Sequence, residues 1–422
     1  MKIQVIERMN KVMRYLTISL KRNSIIVVSL ILIHFFIFNN VCMSQNVNIP
    51  DANFKAALLS DPNINTNMDN EIQVSEAAAL TGTLNVFNSG IFDLTGIEAF
   101  TSITGLDCSL NILSSLDLSA NTALTYLECT SNQLTSLNIS ANTGLVTLFC
   151  GYNQLSTLDV STNTALTTLY CIQNQLTTLD VSTNTSLTFL GCGYNQLSTL
   201  NVFNNTNLTE LQCHNNQLTN IDVSNNTGLA KLFCYSNQLA NLSLSNNTSL
   251  VELFCGSNQL TGLDITANIS LSFLSCSNNN LNNLNIKNGN NVNFVVFTAV
   301  NNSNLSCIEV DDVAFMNDNW SNAKDSGTIY SENCSVSIKE VENLNHALIY
   351  PNPIYDDKLI VRFDRPAVAQ IIIYSVEGKQ LLVSQVKNTN VFELSISMLP
   401  KGLYMVEIKS HDKKSVKKLI KN

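Results

Sequence analysis

Cys108, Cys129, Cys150, Cys171, Cys192, Cys213, Cys234, Cys255 and Cys276 each stand 21 residues after the one before. A fixed period of this length constrains the fold more than any other feature of the chain. One such unit is too short to bury a face of its own, so stability requires stacking each unit on the next as a solenoid. The 422 residues exceed what one compact core usually organises, and a stack of coils removes that ceiling because each coil contacts only its neighbours. With 13% charged and 45% apolar residues the chain is neither a disordered polymer, nor a coiled coil, nor a collagen-like fibre.

One unit reads Leu127-Glu128-Cys129-Thr130-Ser131-Asn132-Gln133-Leu134, a pattern L-x-C-x-x-N-x-L, and continues to Leu145. This resembles the leucine-rich repeat family, most of all its short bacterial class, over about residues 80–305. The resemblance implies a repeat solenoid of mostly strand and turn. The unit is also a near-duplicate of itself, because Leu127-x-Cys129-x-x-Asn132 is echoed by Leu137-x-Ile139-x-x-Asn142. Each coil should therefore hold two extended segments, each closed by an Asn-led bend. Asn side chains in such bends satisfy backbone groups that the turn would otherwise bury unpaired.

Strand alternation sends Leu127 and Cys129 inward, with Glu128 and Thr130 outward. Thiols of neighbouring coils then lie about 4.8 Å apart, one strand spacing. A disulfide needs Cβ atoms nearer ~3.8 Å and a torsion that in-register parallel strands do not offer. The expectation is a column of buried free thiols acting as small hydrophobes, with soft-metal capture disfavoured by the dry surroundings.

Between residues 56 and 286 the only basic residue is Lys231, against 15 acids. Such a stretch cannot neutralise phosphates, which excludes nucleic acid as its partner. The chain has 4 His, and it shows no nucleophile elbow, no H-E-x-x-H and no phosphate loop. No catalytic residue is therefore assigned, and an enzyme is the remote alternative.

The two ends differ from the middle. Residues 1–44 carry six basic residues ahead of an apolar run from Ile25 to Phe38, and read as a secretory signal cleaved between Ser44 and Gln45. The run is shorter than the ~20 residues of a membrane anchor, so no transmembrane helix is expected after cleavage. Residues 45–79 should cap the solenoid, beginning with a short helix near Pro50-Asp51. Within them, Asn65, Asn67, Asp69, the Glu71 carbonyl and Glu76 follow a pattern that resembles an EF-hand or dockerin calcium loop. Asn stands at its first position and Asn70 where Gly is usual, so calcium binding and a loop that only turns both remain open. Residues 306–336 form a second cap, in which Cys307 and Cys334 read as a stapling disulfide of an exported protein.

After a linker at 337–346, residues 347–422 exchange Asn-rich coils for Lys-bearing alternation broken at Glu377-Gly378-Lys379 and Pro400-Lys401-Gly402, which predicts a small antiparallel β-sandwich. Tyr350-Pro351-Asn352-Pro353, Gly378-Lys379, Gly402-Leu403-Tyr404 and the final lysines resemble the type IX secretion C-terminal sorting domain. That resemblance implies that the secretion machinery acts through residues 347–422 and that the product is secreted or held at the outer-membrane cell surface.

The solenoid presents two outward faces. The second segment repeats Asp117, Asn138, Asp159, Asp180, Asn201 and Asp222, a monotonous polar column. The first segment is irregular and carries Phe149, Tyr152, Tyr170, Ile172, Tyr194, His214, Phe233, Tyr235 and Phe254. Aromatics give large contact area at low entropic cost, so these nine are the candidate ligand-binding residues, for a protein or a glycan. They could equally pack along the strands as cross-strand pairs. The leading function is thus a secreted or surface binding protein, adhesin-like; the alternative is an envelope spacer without a ligand.

Overall fold

The computed structural model describes residues 45–334, 347–410 and 413–422. The expected signal, residues 1–44 with Ser44, and the expected linker at 337–346 lie outside these described residues. Two compact units emerge, one up to Asn333 and one from Cys334 onward.

The first unit is the solenoid. Its main sheet has eleven parallel strands, one per coil: β1 (Gly82–Asn85), β2 (Ile103–Asp107), β3 (Tyr126–Glu128), β4 (Thr147–Phe149), β5 (Thr168–Tyr170), β6 (Phe189–Gly191), β7 (Glu210–Gln212), β8 (Lys231–Phe233), β9 (Glu252–Phe254), β11 (Phe273–Ser275) and β13 (Val296–Thr298). The register is the sequence period itself: Leu127 faces Leu148, and Leu148 faces Leu169. The Leu and Cys positions are fully buried, and all nine 21-spaced thiols are free. Burial pushes these thiols up, to about 12 at Cys171 and at Cys213. The second segment pairs less than the first. It makes a four-stranded ladder only at the C-terminal end, from β10 (Gly262–Asp264) through β12 (Asn283–Asn285) and β14 (Cys307–Glu309) to β15 (Ile329–Ser331). Earlier coils run extended there without a ladder, apart from one bridge between Asp117 and Asn138.

Both Asn columns hold coil to coil. Asn153 Nδ2 donates to the carbonyls of Cys129 (3.0 Å) and Cys150 (3.2 Å), while its Oδ1 accepts the Leu134 N–H at 3.0 Å. Asn163 Nδ2 donates to Ile139 O (3.1 Å) and Asn142 O (2.8 Å) of the preceding coil. The residue before each first-column Asn is left-handed, with φ of 58° at Ser131, 53° at Tyr152 and 50° at Tyr194. After Cys276 the period slips by two residues, so that Phe273 pairs with Val296 and Ala299 takes the thiol's place. A 3-10 turn at Asn291–Asn293 absorbs the difference.

The N-terminal cap docks through a carboxylate. Helix α1 (Ala52–Ser60) has Asp51 as its N-cap, whose Oδ1 accepts Asn53 N–H (2.8 Å) and Phe54 N–H (2.9 Å). Its other oxygen accepts Phe92 N–H (2.8 Å) and Asp93 N–H (3.1 Å), which ties the helix to the first bend. A second helix, α2 (Val74–Ala79), closes this cap, and α3 (Val313–Trp320) lies in the C-terminal one. Cys307 and Cys334 are both disulfide-bonded.

The second unit has five antiparallel strands: β16 (Leu348–Tyr350), β17 (Lys358–Ser375), β18 (Gln380–Ser395), β19 (Gly402–Ser410) and β20 (Lys413–Lys421). The β17–β18 hairpin is irregular between Arg362 and Ala369. Its first half pairs with β16 and its second with β19, and both halves feed one buried cluster that includes Leu359, Ile371, Val406 and Leu419. Buried Lys421 donates to Ile396 O (2.9 Å) and Leu399 O (2.7 Å) and pairs with Asp357. A buried ammonium needs such partners.

Two outcomes follow. Protein beginning at Gln45 should react with maleimide at no cysteine when native and at nine when denatured without reductant, counted by intact mass; adducts on the folded protein would refute the closed column. Asp51 is the second case. Burial pushes its carboxyl up, but four backbone N–H groups outweigh that and hold it below the ordinary range. Its contribution is therefore complete near neutrality and is lost as pH falls through the lowered value. Asp51→Ala should cost about 2–3 kcal/mol at pH 7, because a cap is lost and two further donors are orphaned. The gap between variant and parent should narrow at pH 3 in urea unfolding; an equal gap at both pH values would contradict this.

Candidate functional site: the aromatic face of the parallel sheet

The outward positions of the main sheet carry side chains that differ from coil to coil. The rings form ladders. Tyr126, Phe149, Tyr170 and Phe189 follow one another at centroid distances of 6.2, 6.0 and 6.5 Å. Tyr194 meets His214 edge-on at 5.1 Å, and His214 stacks on Tyr235 at 4.5 Å with 3° between planes. Phe233 and Phe254, direct cross-strand partners, lie 5.2 Å apart. Edge-on and offset contacts of this kind stabilise by about 0.5–1.5 kcal/mol beyond area burial.

Glycines make the ladders possible. A Cβ at Gly151 would lie 2.5 Å from Tyr170 Cε1, and one at Gly193 would lie 2.7 Å from His214 Cε1. One at Gly191 would come within 3.2 Å of both the Tyr170 and Phe189 rings and 3.3 Å of Ile172 Cδ1. Large side chains lean into the room these glycines leave.

This corrects the expectation that all nine residues face water. Ile172 is 5% exposed and His214 7%. Both lie down into the room left by a glycine of a neighbouring coil, Gly191 for Ile172 and Gly193 for His214. Burial lowers the His214 pKa, against an opposing hydrogen bond to Asn215 Oδ1. Phe149, Tyr170, Phe233, Tyr235 and Phe254 are half-buried in the ladders. Burial, with a side-chain hydrogen bond to Tyr152, pushes the Tyr170 phenol up to about 12. Of the nine, only Tyr152 (44%) and Tyr194 (50%) are exposed. Both occupy the left-handed turn position, two coils apart, and Leu110 (φ 53°, 49% exposed) occupies it two coils earlier. Sequence reasoning passed over Leu110, although it lies in the same 21-residue column.

The opposite column is built differently. Asp117, Asp159, Asp180 and Asp222 are exposed, and each accepts the N–H of the Ser two residues on at 2.9 Å. They shape turns facing water.

In the loop at 65–76 the expected calcium ligands are engaged by protein donors. Glu76 Oε1 accepts Thr66 N–H (2.9 Å), Thr66 Oγ1 (2.9 Å) and Asn67 N–H (3.2 Å), and its Oε2 accepts Gln73 N–H (3.0 Å). The Glu71 carboxylate pairs with Lys55 at 2.8 Å, and Asp69 accepts from Glu71 N–H, Asn67 and Gln73. Asn65 Oδ1 is buried without a hydrogen-bond partner. Among the described residues no three His, Cys, Asp or Glu gather as a metal site. Protein donors thus engage the carboxylates of the loop, while Asn65 Oδ1, the first of the expected ligands, is the atom left without one.

Residues 348–422 match the secretion system C-terminal sorting domain. The fold of the chain is similar to the functional domain of InlJ from Listeria monocytogenes, which is described as including a cysteine ladder: 26% identity, 90% of this chain and 99% of that one covered, TM-score 0.56. It is also similar to internalin InlF from Listeria monocytogenes, with 20% identity, 70% and 99% covered, and a TM-score of 0.41. No curated protein matches the chain. The solenoid is a leucine-rich repeat fold, and it ends in a type IX secretion sorting domain. The protein is thus secreted or displayed on the outer-membrane surface. No helix of the described residues is long and apolar enough to cross a membrane.

Calcium at millimolar concentration, or a chelator, should leave the Tm within about 1 °C, whereas Glu76→Ala should lower stability by about 2 kcal/mol through the lost capping box and orphaned donors. A calcium-dependent rise of several degrees would show that the loop rearranges around an ion.

Proposed function

We propose that this exported protein is a recognition module whose parallel-sheet face binds another protein, and that it performs no catalysis. One observation carries the reading. The left-handed turn position is filled by Ser, Gln or Asn in most coils, but by Tyr at 152 and 194, both exposed. A bulky residue at positive φ costs on the order of 1 kcal/mol or more, and such strain persists at functional positions. Each ring meets the ladders only at one edge, Tyr194 against His214 and Tyr152 through its hydrogen bond with Tyr170, and the exposed remainder offers a partner two rigid anchors. The monotonous Asp column shows no such departure. An envelope spacer would have no use for strained, exposed tyrosines on one face.

Full mature protein should be immobilised and probed with purified extracellular proteins and, in parallel, a glycan array. A protein ligand is expected whose affinity drops at least 30-fold on Tyr152→Ser with Tyr194→Ser while the protein stays folded with Tm lowered by only a few degrees, since truncated aromatic anchors each cost about 2 kcal/mol or more. Asp159→Asn, Asp180→Asn and Asp222→Asn together should leave it intact, because Asn keeps the turn acceptor. The reverse pattern would place binding on the other face; a hit confined to glycans would replace the protein partner; capture of nothing would favour the spacer.

A further inference from the structure

Resting on the sheet-face reading above, we infer that the partner is a basic protein that places arginine side chains against the N-terminal half of this face. Charge complementarity on an aromatic platform selects such a partner. Asp107 and Glu128 are direct partners on adjacent parallel strands, and both are half-buried on the outward side. Like charges set opposite one another across a sheet are destabilising. The protein does little to relieve the pair: Asp107 accepts Ser109 N–H (3.1 Å) and Ser109 Oγ (2.6 Å), and Glu128 accepts Thr130 N–H (3.1 Å). No ion pair engages either carboxylate among the described residues.

The same shortage of cations extends along the face. Glu210 and Glu252 add to it, and Lys231 pairs with Glu252 at 3.0 Å. The carboxylates sit beside rings. Tyr126 is two residues before Glu128 on its strand, and Phe149 is Glu128's partner on the next. Burial together with the charges of Glu128 and Asp107 raises the Tyr126 phenol, so the negative field reaches the ladder. A guanidinium answers both features, since it stacks on aromatic planes and binds carboxylates through a planar fork. Lysine offers only a compact, strongly hydrated charge.

The test uses the full mature protein and three fluorescent ten-residue probes alternating Ser with Arg, Lys or Glu, read by anisotropy at 50 and 500 mM NaCl. The Arg probe should bind at least 10-fold more tightly than the Lys probe, lose most of that affinity in high salt, and outbind the Glu probe at every salt. Asp107→Asn with Glu128→Gln should weaken the Arg probe at least 10-fold. The paired Tm should stay level or rise, since repulsion is relieved while the acceptors for Ser109 and Thr130 remain. Asp159→Asn with Asp180→Asn removes equal charge from the opposite column and should change binding less than 2-fold. Equal losses in both pairs would mean indiscriminate attraction to an acidic protein and would overturn the inference, as would parity of Arg and Lys or no binding at all. A protein ligand lost on Tyr152→Ser with Tyr194→Ser but indifferent to Asp107→Asn with Glu128→Gln would leave the sheet-face reading standing and sink this one alone.

Discussion

The carboxamide of one asparagine, repeated at two corners of every coil, is the interaction on which the rest of the structure depends. A bend that turns the chain through a solenoid corner buries carbonyls that no strand can satisfy, and an orphaned buried polar group costs about 1–3 kcal/mol. Asn Nδ2 supplies two donors at once. In the second column Asn184 reaches Val160 O at 3.0 Å and Asn163 O at 2.9 Å, both in the coil before. Aspartate could not do this, because a carboxylate only accepts. The two columns are not equivalent. First-column Oδ1 atoms accept a Leu N–H, whereas those of Asn121 through Asn268 in the second have no partner. The ladder tolerates that recurring cost because each second-column Asn still satisfies two carbonyls.

With the corners and the Leu/Cys interior fixed by the repeat, variation is confined to positions that point out of the sheet. What happens there depends on pairs of coils. Tyr170 lies across Gly151 and reaches Gly191, and His214 lies over Gly193, so a ring in one coil is matched by absence of a side chain in its neighbour. Packing of this type orders the rings without enlarging the core. It also divides the face into a half-buried platform and a few free side chains.

That division explains what the sequence could and could not disclose. The 21-residue period, the inward thiols, the helix behind Asp51 and the antiparallel C-terminal unit were legible, because each follows from a local pattern or from the repeat. The burial of Ile172 and His214 was not. Alternation alone marks both as outward, and their cover comes from Gly191 and Gly193 one coil away, a relation that only the stacked register creates. Where the second segment pairs as a ladder was equally hidden. Leu137-x-Ile139 and Leu263-x-Ile265 look alike, yet only the latter's coil has neighbours that pair as strands.

The platform changes how binding on this face must be judged. Rings held against one another at 4.5 to 6.5 Å have already lost their rotamer freedom on folding. A partner that meets them pays little further ordering cost, which is where rigid surfaces gain affinity. Tyr152 and Tyr194 sit at the edge of that platform on turns locked by the Asn column, each touching a single neighbouring ring, Tyr170 and His214 respectively. Truncating Tyr170 would therefore disturb the ladder as well as any contact, and a binding loss there confounds stability with recognition. Truncating Tyr152 or Tyr194 removes mostly exposed surface and one edge contact each, so the ladder loses far less. The contrast between those two kinds of variant, read beside Tm, separates a face that merely packs from one that recognises.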